Sequence, residues 1–365
     1  MSATFTRGDF LRLGATAAGA ALSAGAPALA QSPSLPTRSG FRFDARPFES
    51  WIVDWFGPSV KLPGGVGNYA RKAGEGLELY GVSDMASILY SLNRLSPSDT
   101  ERAQWADAFQ TFQRGGDGWL VERARSHDPL HNTAYALASM QLLDLRPRNP
   151  VTIKVAEDPA AFLETLDWQT NVYLDSHKGA GAGSIAYLVP ELNKPAWFDA
   201  YFAKCDSLFD PRNGMMGRDK PVGGDFDQLG GTFHYGFLYE TFHKAMPYPE
   251  ARIDAIIGLQ QADGYWHPTN HLWLTLDAIY MLTRTLRYTT HRFEDVRNVV
   301  RRTVSVLAND VYSVDGRVRS FNGALPTHSV MAAISILAEA QRFLGAEEIL
   351  TERPLRLVLD RRPFI

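Results

Sequence analysis

The chain alternates two kinds of helix-length segment. Segments 46–56, 99–114, 158–175, 196–209, 249–261 and 293–312 carry apolar residues on one face and charge on the other, the 3.6-residue pattern of a surface helix. Between them lie segments 83–95, 131–143, 184–192, 234–242, 271–284 and 328–344, which are apolar or small almost all round. A helix that is apolar on every side has to be buried. The pattern predicts six pairs, each an amphipathic helix followed by a buried one.

The buried segments start at 83, 131, 184, 234, 271 and 328, with separations of 48, 53, 50, 37 and 57. Near-constant spacing with loop-length variation marks a repeat architecture. Six hairpins of this size close naturally into an all-α (α/α)6 toroid, buried helices inside and amphipathic helices outside. The expected toroid covers 46–350, after a Pro/Ser linker at 31–45 and before a C-terminal tail at 351–365. At 365 residues the chain is longer than most domains, and a toroid is one of the few ways to keep it a single unit. Glycine turns at Asp117-Gly118, Asn213-Gly214, Asp263-Gly264 and Asp315-Gly316 close the amphipathic segments, since glycine accepts the positive φ that ends a helix. The third repeat is the least regular: the run KGAGAGS at 178–184 reads as flexible, and Pro190 shortens the buried helix after it. Continuous strand patterns are missing, so no β domain is expected.

The repeat and its turns, with Trp119 and Trp266 beside two of the Asp-Gly pairs, resemble the six-hairpin glycosidase superfamily. The turns are also similar to those of squalene cyclases and protein prenyltransferases. Those two branches imply, respectively, an Asp-rich acid motif and a zinc site that includes Cys. Neither fits a chain without a DxDD run and with Cys205 alone on an amphipathic helix. The resemblance therefore implies a carbohydrate-active toroid.

Composition narrows the function further. A hydrophobic content of 45% and a charged content of 21% suit a large core. A net charge of −3 gives no electrostatic case for nucleic acid. The N-terminus pairs Arg7 and Arg12 with an apolar, Ala-rich run closing at Ala28-Leu29-Ala30, which reads as a cleavable export signal. TRGDFLRLGA is similar to a twin-arginine signal with Gly8 in place of the second Arg. The expectation is a periplasmic or secreted protein with no membrane anchor after signal removal. Cys205 is the only cysteine, so no intrachain disulfide is possible.

In a toroid, the starts of the buried helices gather at one end. These are Ser83-Asp84, His131-Asn132, Ser184, His234-Tyr235, Asn270-His271 and Thr327-His328. Ser, Asp and Asn there also serve as helix N-caps, but histidine is a poor cap. Four of the nine histidines begin buried segments. Glycoside hydrolysis needs two carboxyls flanking the scissile bond, and Asp84, Asp128, Asp225 and Asp227 stand on the expected rim, with Glu240 and Asp277 deeper. The segment 223–236, GGDFDQLGGTFHYG, reads as a glycine-rich functional loop. The leading expectation is a glycoside hydrolase acting on an oligo- or polysaccharide. Asp84, Asp225, Asp227, His234 and Tyr235 are its catalytic candidates, and His131, Asn132, Tyr135, Asn270, His271, Trp273 and His328 would bind substrate. Trp119 and Trp266 fit better as wedges between hairpins, Trp273 as a sugar platform.

Two alternatives compete. A polysaccharide lyase removes the proton α to a uronate carboxylate with a His or Tyr base, chemistry that suits His131-Asn132, Tyr135, His234-Tyr235 and Asn270-His271. A non-catalytic glycan-binding toroid would need only the aromatic faces. A metal held by His131, His234 and His271 is a further option, but no H-x-x-x-H lies on one helix and no C-x-x-C occurs. No metal and no cofactor is assigned, and oligomeric state is left open.

Overall fold

The computed structural model describes residues 40–123, 127–154, 157–218, 224–267, 272–316 and 325–364. The expected export signal lies outside them. Helix makes up 58% and strand 4%, so the protein is all-α. The helices are α1 (Arg46–Trp51), α2 (Gly57–Val60), α3 (Leu79–Ser91), α4 (Asp99–Gln110), α5 (Pro129–Leu142), α6 (Pro159–Glu164), α7 (Val172–Leu188), α8 (Pro195–Asp206), α9 (Gly224–Thr241), α10 (Pro249–Leu259), α11 (Leu272–Thr285), α12 (Phe293–Asp310), α13 (Thr327–Leu344) and α14 (Val358–Arg361), with a π-helical turn at Ile52–Phe56.

Six of these helices, α3, α5, α7, α9, α11 and α13, are buried over most of their length. Each packs on the next, and α13 returns to α3, closing the circuit. The circuit is stitched at its seam by a two-residue parallel pairing of β1 (Phe43–Asp44) with β2 (Ile349–Leu350). Beside it, Glu49 Oε2 accepts the Glu352 backbone N–H at 2.9 Å. Among the described residues no helix is long and apolar enough to cross a membrane.

The turns repeat as expected in three places. Gly118, Gly214 and Gly264 all have positive φ. In each, the preceding Asp117, Asn213 or Asp263 side chain accepts a backbone N–H two residues on, at 3.0 Å. Gly316 departs from the set and has no positive φ. Trp266 is fully buried and donates to the Ile256 carbonyl, and Trp119 donates to that of Thr152. The first bond closes the turn onto α10 of the same hairpin, and the second reaches the segment that leads to α6.

Two buried helices start earlier than expected. The run 178–184 is helical, inside α7, and residues 224–236 of the expected loop at 223–236 are the first two-thirds of α9. In both, glycine serves close packing. A Cβ on Gly179 would lie 1.9 Å from the Tyr235 hydroxyl, and one on Gly181 would lie 3.0 Å from the Leu130 carbonyl carbon. On Gly230 and Gly231 a Cβ would meet Tyr173 and Val172 at 2.7 Å. The helices α5, α7 and α9 thus approach closely enough to exclude side chains.

The described unit runs on past α13 and includes the C-terminal segment. Arg362 is buried, donating to Ser139 Oγ at 2.8 Å and Ser87 Oγ at 2.7 Å. The Pro363 carbonyl accepts from Ser184 Oγ at 2.9 Å. Phe364, fully buried, reaches the rings of His131, His234 and Phe237.

Candidate active site

The N-terminal parts of α5, α7, α11 and α13, with the middle of α9, bound a cavity of about 220 Å³. Arg71, His127, His131, Tyr173, His234, Trp273, Asp277 and His328 are among its walls. The register of α5 and α13 sets two of these: Asp128 caps α5, accepting the Leu130 N–H at 2.8 Å, and thereby places His131 in the first turn. His328 stands second in α13.

Asp84 lies behind the cavity, fully buried on α3. Three side chains from two other helices converge on it. Tyr135 donates at 2.5 Å, Thr327 at 2.7 Å, and His328 Nδ1 lies 2.9 Å away. A carboxylate only accepts, so His328 carries its proton on Nδ1 and keeps Nε2 as the basic nitrogen. This is an aspartate-oriented histidine at a cavity wall.

Beside it, Tyr80 hydrogen-bonds His131 Nδ1 at 2.9 Å and stacks on His127 with centroids 4.5 Å apart. His127 is held by Glu122, which accepts its backbone N–H at 2.6 Å and lies 3.2 Å from Nδ1. Arg71 lies 3.7 Å from Glu122 and over the Tyr80 ring. On the far wall Tyr173 stacks on Trp273 at 5.1 Å. Asp277 is buried, and desolvation holds its carboxyl well above the usual carboxylate range.

Three histidines meet on neighbouring helices. His131, His177 and His234 each offer a ring nitrogen within 4.8 Å of the others, and all three are buried. Burial, reinforced by neighbouring histidines, drives His131 and His234 well below the usual imidazole range. Burial likewise takes His177 down to about 3, aided by His127 and Lys178. All three are neutral at physiological pH, which is the ligand-competent form.

The expected residues divide. Asp84, His131, His234, Trp273 and His328 come together at or directly behind the cavity, with Tyr135 behind Asp84. His234 arrives from the middle of α9 and not from a helix start, because α9 begins at Gly224. Tyr235 points the other way, fully buried against Trp168 and Tyr201. Asn132 is fully buried, its side-chain nitrogen 3.5 Å from the His127 carbonyl. Asp227 is half-buried and accepts the Tyr173 N–H at 3.2 Å, away from the cavity walls. Asp128 is the α5 cap, and Glu240 pairs with Arg287 and Arg284 near the opposite helix ends. Asn270, His271 and the side chain of Asp225 lie outside the described residues.

His177, Tyr173, Tyr80 and Arg71 were not anticipated. The signal for His177 and Tyr173 was the small-residue run that follows them, which packs a helix and so carries both inward. A larger concavity, about 740 Å³, opens near the C-terminal ends of the buried helices around Arg284, Glu339 and Asp360. Its central charges are committed to each other: Arg284 lies 2.5 Å from Glu339 and 3.5 Å from Glu240 and also pairs with Asp360. The chemistry therefore concentrates in the smaller cavity. Comparison with protein-family models, with curated proteins and with solved structures gives no match.

Proposed function

We propose that this protein is an exported carbohydrate-active enzyme of (α/α)6 toroid type that cleaves a uronate-containing glycan by β-elimination. The observation that carries this reading is the Asp84-oriented His328 at a cavity whose other polar walls, among the described residues, are His, Tyr and Arg, with Asp277 the one carboxyl. Elimination needs a base for the proton α to the carboxylate, a cation or donors for that carboxylate, and an acid for the leaving oxygen. His328 Nε2 is the base, Arg71 receives the carboxylate, and Tyr173 or Asp277 returns the proton. Trp273, stacked on Tyr173, offers a sugar ring a flat face. The volume of about 220 Å³ suits one ring at a time.

A hydrolase is the second reading, favoured by Asp277 alone. A buried carboxyl kept protonated is what a general acid requires, and water activated by His328 would take the place of the second carboxylate.

The test is to incubate the purified mature protein with a panel of uronate-containing and neutral glycans, following unsaturated-uronate absorbance and reducing ends separately. Elimination predicts both signals, with His328→Ala lowering the rate roughly 100- to 10,000-fold. Reducing ends without absorbance would transfer the assignment to hydrolysis. Saturable binding with neither signal would leave a glycan-binding protein.

A further inference from the structure

We infer that His131, His177 and His234 form a binding site for one divalent transition-metal ion of the zinc class. The three residues come from α5, α7 and α9, consecutive members of the buried circuit, so backbone packing and not a flexible loop fixes their spacing. Their rings are inclined to one another by 58°, 79° and 88°. Rings so inclined do not stack face to face, and a ring nitrogen of each lies within 4.8 Å of those of the other two.

Hydrogen bonding on the outer side leaves nitrogens for a metal. The Ser176 hydroxyl has one proton, which it gives to the Tyr173 carbonyl at 2.5 Å. Its 2.7 Å contact with His234 Nδ1 must then be received from Nδ1–H, which makes His234 Nε2 a bare lone pair. The Tyr80 hydroxyl at His131 Nδ1 permits the same tautomer there. His177 Nε2 is buried with no hydrogen-bond partner among the described residues. A buried polar nitrogen without a partner is costly, and a cation shared by the three rings removes that cost. An outer hydrogen bond to the non-ligating nitrogen is also how metal-binding histidines are oriented.

The geometry needs a small closure. For an equilateral triangle with the 4.8 Å limiting edge, each nitrogen is about 2.8 Å from the centre, so a zinc–nitrogen bond of about 2.0–2.1 Å asks roughly 0.7 Å of each ring. Three imidazoles with a fourth position left open is the ligand count of a catalytic zinc, not a structural one. Here the fourth position faces the cavity, since His131 and His234 are in its wall. The inference stands on the imidazoles alone and does not depend on the glycan reading.

The experiment uses the full mature chain without an affinity tag, stripped with a chelator and titrated calorimetrically with Zn²⁺, with Co²⁺ as a spectroscopic probe. One equivalent should bind, and Co²⁺ should give the intense visible absorption of a four-coordinate site. His177→Ala and His234→Gln should each weaken Zn²⁺ binding at least 100-fold, and Ser176→Ala, which only orients His234, about 10-fold. His291→Ala, a half-exposed histidine paired with Asp254, should change nothing. Absence of stoichiometric binding, an octahedral Co²⁺ spectrum, or full binding by His177→Ala would overturn the inference. If a variant fails to fold, the wild-type Co²⁺ spectrum and stoichiometry still decide it.

Discussion

Replacing Gly179 by Ala sets two effects of opposite sign against each other. On helix propensity alone, Gly to Ala within a helix stabilises by about 1 kcal/mol. In α7, however, the new methyl would sit 1.9 Å from the Tyr235 hydroxyl and 2.9 Å from Leu166 Cδ1. Ordinary contact begins near 3.4 Å, so the fully buried Tyr235 would have to retreat roughly 1.5 Å, and overpacking on that scale costs about 3 kcal/mol. The net expectation is a loss of about 2 kcal/mol. Gly258 is the internal control: it is exposed near the end of α10, and a Cβ there meets nothing within 4 Å. Gly258→Ala should gain up to about 1 kcal/mol. Urea denaturation followed by far-UV circular dichroism reads both. If Gly179→Ala proves as stable as the parent while Gly258→Ala gains, α7 does not pack against α9 at the described distance. The reasoning that places His177 beside His234 would then fail with it.

Three further outcomes are expected. Phe364→Ala, at a fully buried site touching His131 and His234, should cost about 3–5 kcal/mol in the same denaturation assay; a change below 1 kcal/mol would mean that the C-terminal segment does not seal the circuit. Arg284→Met would strand the buried Glu339 and should lose about 3–5 kcal/mol, with Arg284→Met/Glu339→Leu recovering part of it; equal losses in both would argue against that pairing. Burial raises the Glu49 carboxyl above its ordinary 4.5, so the folded state holds its proton more tightly and stability falls as pH rises through and above that value. Glu49→Gln should flatten this slope above its ordinary 4.5, and an unchanged slope would remove Glu49 as its source.

Much of the architecture could be read from periodicity. The contrast between charged and all-apolar segments located α10, α11, α12 and α13 to within a few residues, because burial on every side leaves a composition that loops do not share. The failures share one physical cause. At 178–184 and 223–236, glycine was read as freedom of the backbone, whereas there it is the absence of a side chain between helices in contact. Which meaning applies depends on the neighbour, and a neighbour 50 residues away does not show in a local pattern. The same misreading hid His177, which fell between an assumed surface helix and an assumed loop. His131 and His328 were legible because a helix start is a local signal. Asp84 was legible as an important acid, but its engagement by Tyr135, Thr327 and His328 depends on partners up to 244 residues distant.

The C-terminal segment also bears on the order of assembly. Arg362 meets Ser87 across 275 residues, and Phe364 lies against His131 and His234 from a position later in sequence than every hairpin. A chain made from its N-terminus can stack hairpins as they emerge, but these contacts have to wait for nearly the whole polypeptide. The histidine cluster would then acquire its final shape only once residues 362–364 are in place, and a chain synthesised short of them would carry the site only in an unfinished form.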